Sequence, residues 1–192
     1  MIKKLMVFGL LLVISAGCGA EKDGATEDTQ KTAATVRRVE KKDEKTTENR
    51  NLVEAKAENG EVFHYTLLNG WQKRTGDDSD ISVTSSKAGV SVLFENKADY
   101  VDFASYQNGI ISSVQSMGDQ ITEEAKDVEI QGLHGVEMVV ESENEGNKQK
   151  GLLYLLEADQ NFVQIYTTTN KTRFDKSRET LEKASSTFKK AE

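Results

Sequence analysis

The sequence predicts a single α+β domain with a mainly antiparallel sheet and two helices, preceded by a secretion signal and a polar tether. From residue 59 onward, the predicted strands follow one another in hairpin order, one amphipathic helix interrupts them and a second one follows them. One strand is apolar at five consecutive positions, which indicates that both of its faces are covered. Because the chain has 192 residues, we expect one domain with appendages.

Residues 1–17 have the pattern of a secretion signal. Two lysines precede an apolar run over residues 5–14, which is shorter than the roughly 20 residues that a membrane-spanning helix needs. The small residues at 15–17 lead directly into Cys18, the only cysteine of the chain. This arrangement resembles the lipobox of bacterial lipoproteins. An ordinary secretory signal followed by an incidental cysteine is the alternative.

The lipobox resemblance implies that Cys18 is a lipidation site. The thiol of Cys18 would carry a diacylglycerol group. Cys18 itself would be the first residue of the mature chain. Two or three acyl chains, such as palmitate, hold a protein firmly on a membrane, whereas a single chain does not. We therefore expect the protein to lie at the extracytoplasmic face of the cell membrane, anchored through Cys18.

Residues 18–58 are predicted to be the lipidated N-terminus and a disordered tether. The segment 19–58 has no aromatic residue and carries 9 Lys and Arg against 10 Asp and Glu. Such a composition buries too little apolar surface to offset the entropy of ordering the chain. A flexible segment of this length spans about 35 Å, which would lift a domain off a lipid surface.

The first half of the predicted domain, which begins at residue 59, contains three strands and one helix. Phe63, Tyr65 and Leu67 alternate with other residues along 62–68, and this period of two predicts the first strand. The other predicted elements are strands at 81–83 and 90–94 and a helix over 99–117, which Asp99 caps and Gly118 ends.

The second half of the domain contains four strands and a final helix. The strands are predicted around residues 128–130, 136–140, 151–157 and 162–168, and the helix over 174–188. The run from Leu152 to Leu156 does not alternate between apolar and polar residues. A strand with one wet face should alternate, so this strand is predicted to be central and covered on both sides.

No cofactor and no metal are predicted. His64 and His134 are the only histidines, and with no cysteine beyond Cys18 they make a weak zinc set. Residues 77–80 lack the glycine and the distal glutamate of a calcium hand, so a solvated turn is the favoured interpretation. Four acidic residues are interpreted as charges that protect a strand edge: Glu137, Glu141, Glu143 and Glu145.

Aromatic side chains offer one possible binding residue. Trp71 is the only tryptophan, and it either fills the end of the core, which is the favoured interpretation, or anchors a binding partner. The set Tyr100, Phe103 and Tyr106 on the first helix is interpreted as packing rather than as a ligand site.

No motif indicates catalysis. The chain has no G-x-S-x-G elbow and no phosphate-binding loop, so no catalytic residue is predicted. A net charge of -7 argues against a nucleic-acid partner. We therefore expect a non-enzymatic, lipid-anchored binding or accessory module with a protein or envelope partner. The alternatives are a small hydrolase acting on envelope material, which would need converging carboxylates, and a carrier of an apolar ligand.

The order of elements from 61 to 188 resembles the PsbP-like family, which includes DcrB-type envelope lipoproteins. The residues that carry the resemblance are Gly70-Trp71 after the first strand, the helix after Phe94, the turn at 132–135, the strands around Tyr154 and Tyr166, and the helix end at 185–188. The resemblance implies an α-β-α sandwich and a non-enzymatic accessory or docking role. It implies no shared catalytic residues.

Replacement of Cys18 by Ala tests the lipid anchor. We expect Cys18→Ala to abolish incorporation of labelled acyl chains and to move the protein into the aqueous phase of a detergent partition, because no lipid can attach. The control variant Thr29→Ala keeps the thiol and should stay in the detergent phase. A Cys18→Ala protein that remains there and still carries label would contradict the interpretation.

Overall fold

The computed structural model describes residues 51–76 and 78–191. The predicted signal, the lipidation site Cys18 and residues 19–50 of the predicted tether lie outside the described residues. The predicted end of the tether at residue 58 is wrong, because strand β1 (Leu52–Lys56) belongs to the domain. Val53 of this strand is 5% exposed and packs into the core.

The described residues form ten strands and two α-helices. The first half contains β1, β2 (Val62–Thr66), β3 (Gln72–Lys73), β4 (Ile81–Thr84), β5 (Ala88–Asn96) and α1 (Phe103–Ser116). The second half contains β6 (Gln120–Ile130), β7 (Leu133–Asn144), β8 (Asn147–Glu157), β9 (Asn161–Asn170), α2 (Phe174–Ser185) and β10 (Phe188–Lys190). None of the helices in these residues is long and apolar enough to cross a membrane.

The strands form two sheets. The large sheet has seven strands in the order β3-β4-β5-β9-β8-β7-β6, and the small sheet has three in the order β1-β2-β10. Every strand pair is antiparallel. The predicted α+β class with a mainly antiparallel sheet is confirmed. The small sheet differs from the prediction, because Phe188, the predicted last residue of the final helix, is the first residue of β10.

Strand β8 is buried on both faces, as its uninterrupted apolar run predicts. Leu152, Tyr154 and Leu156 pack with residues of α2 and the small sheet. Leu153 and Leu155 point to the opposite face, where they pack with α1. The domain therefore has three layers: α1, the large sheet, and a third layer made of α2 and the small sheet.

Two glycines allow the central strands to approach closely. A Cβ atom on Gly151 would lie 1.8 Å from the carbonyl oxygen of Thr167 on β9. A Cβ atom on Gly135 would lie 1.9 Å from the carbonyl oxygen of Leu155 on β8. Both distances are shorter than any nonbonded contact, so only glycine fits at these positions.

Both helices differ from their predicted bounds. Helix α1 starts later than predicted because its cap is Asp102, not Asp99, which lies in a short 3-10 turn. The Asp102 carboxylate accepts from the backbone N–H of Ser105 at 2.7 Å, and the Ser105 hydroxyl reaches back to the Asp102 N–H at 3.1 Å. Gly118 follows α1 with a positive φ of 86°.

The final helix ends at Ser185, before its predicted end at residue 188. Phe188 instead starts β10, where its ring stacks 5.3 Å from that of Phe63. An inward-facing aromatic residue is compatible with both a helix and a strand, so the residue pattern did not separate the two.

The carboxylate of Glu61 joins the two sheets. Its side chain is 5% exposed and follows the turn between β1 and β2. It accepts hydrogen bonds from the backbone N–H groups of Asp159 (3.1 Å) and Gln160 (3.3 Å) and from the Asn161 side chain (2.6 Å), all in or beside the turn between β8 and β9. The small sheet is thereby fixed to the end of the large one.

Truncation of β8 at one residue from each face tests the two-sided core. Leu153→Ala and Leu156→Ala should each lower the free energy of unfolding by about 2–5 kcal/mol, because each leaves a cavity in a packed layer. The control Leu52→Ala removes a leucine that is 37% exposed and should cost much less. Chemical denaturation measures all three. An unchanged midpoint for either β8 variant would contradict the three-layer arrangement.

Candidate interaction surface

The exposed side of α1 carries no charge. None of its fourteen residues is charged, although 30% of the whole chain is. Its solvent-facing residues are small or amide-bearing: Ala104, Asn108, Gly109, Ser112, Gln115 and Ser116. Helix α2, by contrast, has six charged residues among twelve: Asp175, Lys176, Arg178, Glu179, Glu182 and Lys183. Solvent exposure alone therefore does not account for the composition of α1.

Apolar side chains frame this helix. Among the described residues, three large hydrophobic side chains are exposed: Val101 (93%), Met117 (38%) and Leu52 (37%). Val101 lies two residues before α1, and Met117 directly follows it. We call the exposed side chains of α1, together with Val101 and Met117, the α1 surface. Depletion of charged residues is a feature of the central part of protein interfaces.

Aromatic rings pack beneath the α1 surface. Tyr106 stacks on Phe162 of β9 with ring centroids 4.6 Å apart, and Tyr100 meets Tyr106 edge-on at 5.0 Å. Phe103 lies 5.6 Å from Phe162. The predicted packing role of Tyr100, Phe103 and Tyr106 is confirmed, because these rings contact one another and the sheet.

Three carboxyl groups near the domain surface have raised pKa values. Partial burial raises the pKa of Asp80, Glu95 and Asp119, and the negative charges of Glu58 and Asp99 add to the effect at Asp80 and Glu95 respectively. The Glu95 carboxylate accepts a hydrogen bond from the Tyr100 hydroxyl. None of these three carboxyl groups shifts the pKa of either of the other two, so they do not form a converging acid pair.

The histidines lie on different sheets and each faces a glutamate across a strand pair. His64 Nε2 lies 3.3 Å from Glu54 Oε2, and His134 Nδ1 lies 3.5 Å from Glu129 Oε2. No cluster of three or more potential metal-binding side chains occurs within residues 51–76 and 78–191.

Asp80, in the acidic loop at 77–80, forms two hydrogen bonds to β5. Its carboxylate accepts from the backbone N–H of Phe94 at 2.8 Å, and its own backbone N–H donates to the carbonyl oxygen of Val92 at 3.0 Å. Asp77 lies outside the described residues. Trp71 is 8% exposed and belongs to the core between the two sheets, so its ring offers little surface to a partner.

Glu137 and Glu141, two of the four glutamates predicted to protect a strand edge, do not lie on one. Their strand β7 pairs with β6 on one side and β8 on the other. Glu137 (13% exposed) and Glu141 (16% exposed) instead form ion pairs next to α2. Glu143 pairs with Lys148 at 3.5 Å near the hairpin turn, where Glu145 has a positive φ of 51°.

Arg178 of α2 forms the central ion-pair cluster, which the sequence did not indicate. Its guanidinium donates to Glu123 at 2.9 Å, to Glu137 at 3.0 Å and to Glu182 at 3.1 Å. Glu123 is on β6 and Glu137 on β7, so this single side chain fixes α2 against two strands. Hydrogen bonding to Arg178 lowers the pKa of Glu123.

Glu141 forms a second ionic link in the same layer. Its carboxylate accepts from Lys171 and, at 3.0 Å, from Lys150. These two lysines hold the pKa of Glu141 below its usual range. The Lys150 ammonium also lies 5.1 Å from the centre of the Phe174 ring, a cation–π distance.

Glu141→Gln tests whether this link stabilises the fold. A carboxyl group with a lowered pKa in the folded state contributes stability above its unfolded pKa and loses the contribution as pH falls through the folded value. At pH 7 the variant should lose about 1–2 kcal/mol. The difference from wild type should vanish near pH 2. The exposed control Glu143→Gln should have almost no effect in urea denaturation, and a pH-independent loss in Glu141→Gln would contradict the ionic origin.

Comparisons with known proteins detect similarity in structure only. No model of a known protein family matches the chain, and no curated protein sequence matches it. The solution structure of cyanobacterial PsbP from Synechocystis sp. PCC 6803 is similar with a TM-score of 0.52 and 14% sequence identity, over 73% of this chain and 93% of that chain.

Two further solved structures have lower TM-scores. LpqN, involved in cell envelope biogenesis of Mycobacterium tuberculosis, has a TM-score of 0.49 and 7% identity, over 69% of this chain and 85% of that chain. PA94 from Pseudomonas aeruginosa, a protein of unknown function described as a putative regulator, has a TM-score of 0.47 and 12% identity, over 71% and 95%. The chain thus has the fold of cyanobacterial PsbP, and the predicted PsbP-like architecture is confirmed.

Proposed function

We propose that this protein is a lipid-anchored accessory module of the bacterial cell envelope that binds a protein partner through the α1 surface. The observation that carries the proposal is the absence of charge along an exposed helix of a strongly acidic domain. Residues 51–192 contain 15 Lys and Arg against 24 Asp and Glu, yet none of these charges lies on α1.

Binding explains this composition because it removes water from the contact surface. A charged side chain that loses its hydration without gaining a partner costs free energy, so the centres of interfaces are depleted of charge. The short side chains of Ala104, Ser112 and Ser116 lose little rotamer entropy on contact. Val101 and Met117 supply apolar groups at the two ends of the same surface.

The anchor part of the proposal is supported by the sequence before the domain. The secretion-signal pattern at residues 1–17 and the small residues next to Cys18 support lipidation at that cysteine. The segment between Cys18 and β1 is long enough to separate the domain from the membrane surface.

The absence of catalysis is also part of the proposal. A hydrolase needs an acid, a base or a nucleophile that converge on one substrate position. Asp80, Glu95 and Asp119 occupy separate surroundings, and the two histidines lie on different sheets. These placements favour the binding role over the hydrolase alternative.

Site-specific photocrosslinking in intact cells tests the α1 surface. A photoreactive residue at Ser112, on the outer side of α1, should yield a crosslinked species of defined mass. The matched position Lys183, which is also exposed but lies on the charged helix α2, should not. Adding the substitution Asn108→Arg should lower the crosslinking yield from Ser112 at least tenfold, because an unpaired charge at an interface weakens binding by about that factor. It should leave the melting temperature unchanged, because Asn108 is exposed.

Equal crosslinking from Ser112 and Lys183, or none from either, would contradict the proposal. A crosslinked species that persists with Asn108→Arg would place the contact elsewhere on the domain.

A further inference from the structure

Two oxygen atoms between α1 and the large sheet are buried without a protein hydrogen-bond partner. They are Tyr106 Oη, on a residue that is 0% exposed, and Gln164 Oε1, on a residue that is 5% exposed. The buried hydroxyls of Tyr65 and Tyr166 also lack a well-aligned bond, but each lies close to a second hydroxyl, that of Thr187 and of Ser142 respectively.

The two oxygens belong to the same part of this layer. The ring of Tyr106 stacks on Phe162 with centroids 4.6 Å apart and an angle of 15° between the planes. Gln164 follows Phe162 by two residues on β9, so its side chain leaves the strand on the same face about 7 Å further along. A water molecule about 2.8 Å from either oxygen would supply the missing hydrogen bond.

The surroundings of the pair are polar enough to hold water. Beside Phe162 lies Glu95, whose negative charge is among the causes that raise the pKa of Tyr106 after burial itself. Glu95 and Tyr100 are only half-buried and provide a polar route to solvent. An empty cavity persists where its walls are apolar, whereas a polar site with several partners binds water.

General energetics favour an occupied site. A buried polar atom with no partner destabilises a fold by roughly as much as a lost hydrogen bond, and native proteins rarely retain such atoms. Internal water occurs about once per 27 residues, which corresponds to about five molecules in a domain of this size.

We propose that Tyr106 Oη and Gln164 Oε1 bind ordered internal water between α1 and β9. The ligand is water itself, one or two molecules that accept from or donate to the tyrosine hydroxyl and donate to the glutamine carbonyl. The space between α1 and β9 would thus contain internal water. This inference concerns the inner side of α1 and is independent of what binds its outer side.

Water magnetic relaxation dispersion on the full chain tests the site, because it counts internal waters that stay longer than bulk solvent. Tyr106→Phe and Gln164→Met each remove one of the two polar groups with little change of shape. Each variant should lose at least one long-lived water relative to wild type. The control Tyr154→Phe alters a hydroxyl in the other layer, beside Glu137 and Ser185, and should leave the α1 waters unchanged.

Thermal melting supplies the second measurement. If water satisfies the pair, Tyr106→Phe should leave the melting temperature unchanged or lower it. If the hydroxyl is truly unpaired, its removal should raise the melting temperature by about 2–4 °C. A raised melting temperature, or a water count that neither Tyr106→Phe nor Gln164→Met changes, would overturn the proposal.

Discussion

The burial of the central strands on both faces is the constraint on which the rest of the structure depends. Strands β8 and β9 carry buried side chains on both faces of the sheet, so both faces have to be covered. Two covers are therefore required, and the chain supplies α1 for one face and α2 with the small sheet for the other. Gly151 contributes to this arrangement, because a side chain at this position would prevent the close approach of β8 and β9 in the middle of the sheet.

The two covers differ in chemistry. The cover that contains α2 is held by stacked phenylalanine rings and by the ion pairs of Arg178, which join it to β6 and β7. The α1 cover has the ring of Tyr106 on its inner side, stacked on Phe162, and no charge along α1 itself. A helix fastened by many ionic contacts serves the scaffold, whereas an uncharged helix leaves its outer face available to another molecule.

The sequence allowed prediction of features that depend on local pattern. Five consecutive apolar residues predicted the two-sided strand β8, and the charge-free stretch of α1 is visible in the sequence, although its meaning emerges only beside the charged α2. The small sheet was missed because Val53, Ala55 and Ala57 present too little apolar volume to distinguish β1 from a polar tether. The partners of Arg178 lie far away in sequence, so no local pattern indicates them. The lipid anchor at Cys18 stays a prediction.

The position of β2 between the first and the last strand has a consequence for biosynthesis. β1 precedes it directly, but β10 consists of residues 188–190, so the small sheet can be completed only after those residues have been made. Contacts between such distant segments form late in folding because loop closure opposes them. The small sheet therefore stays incomplete until residues 188–190 can reach β2.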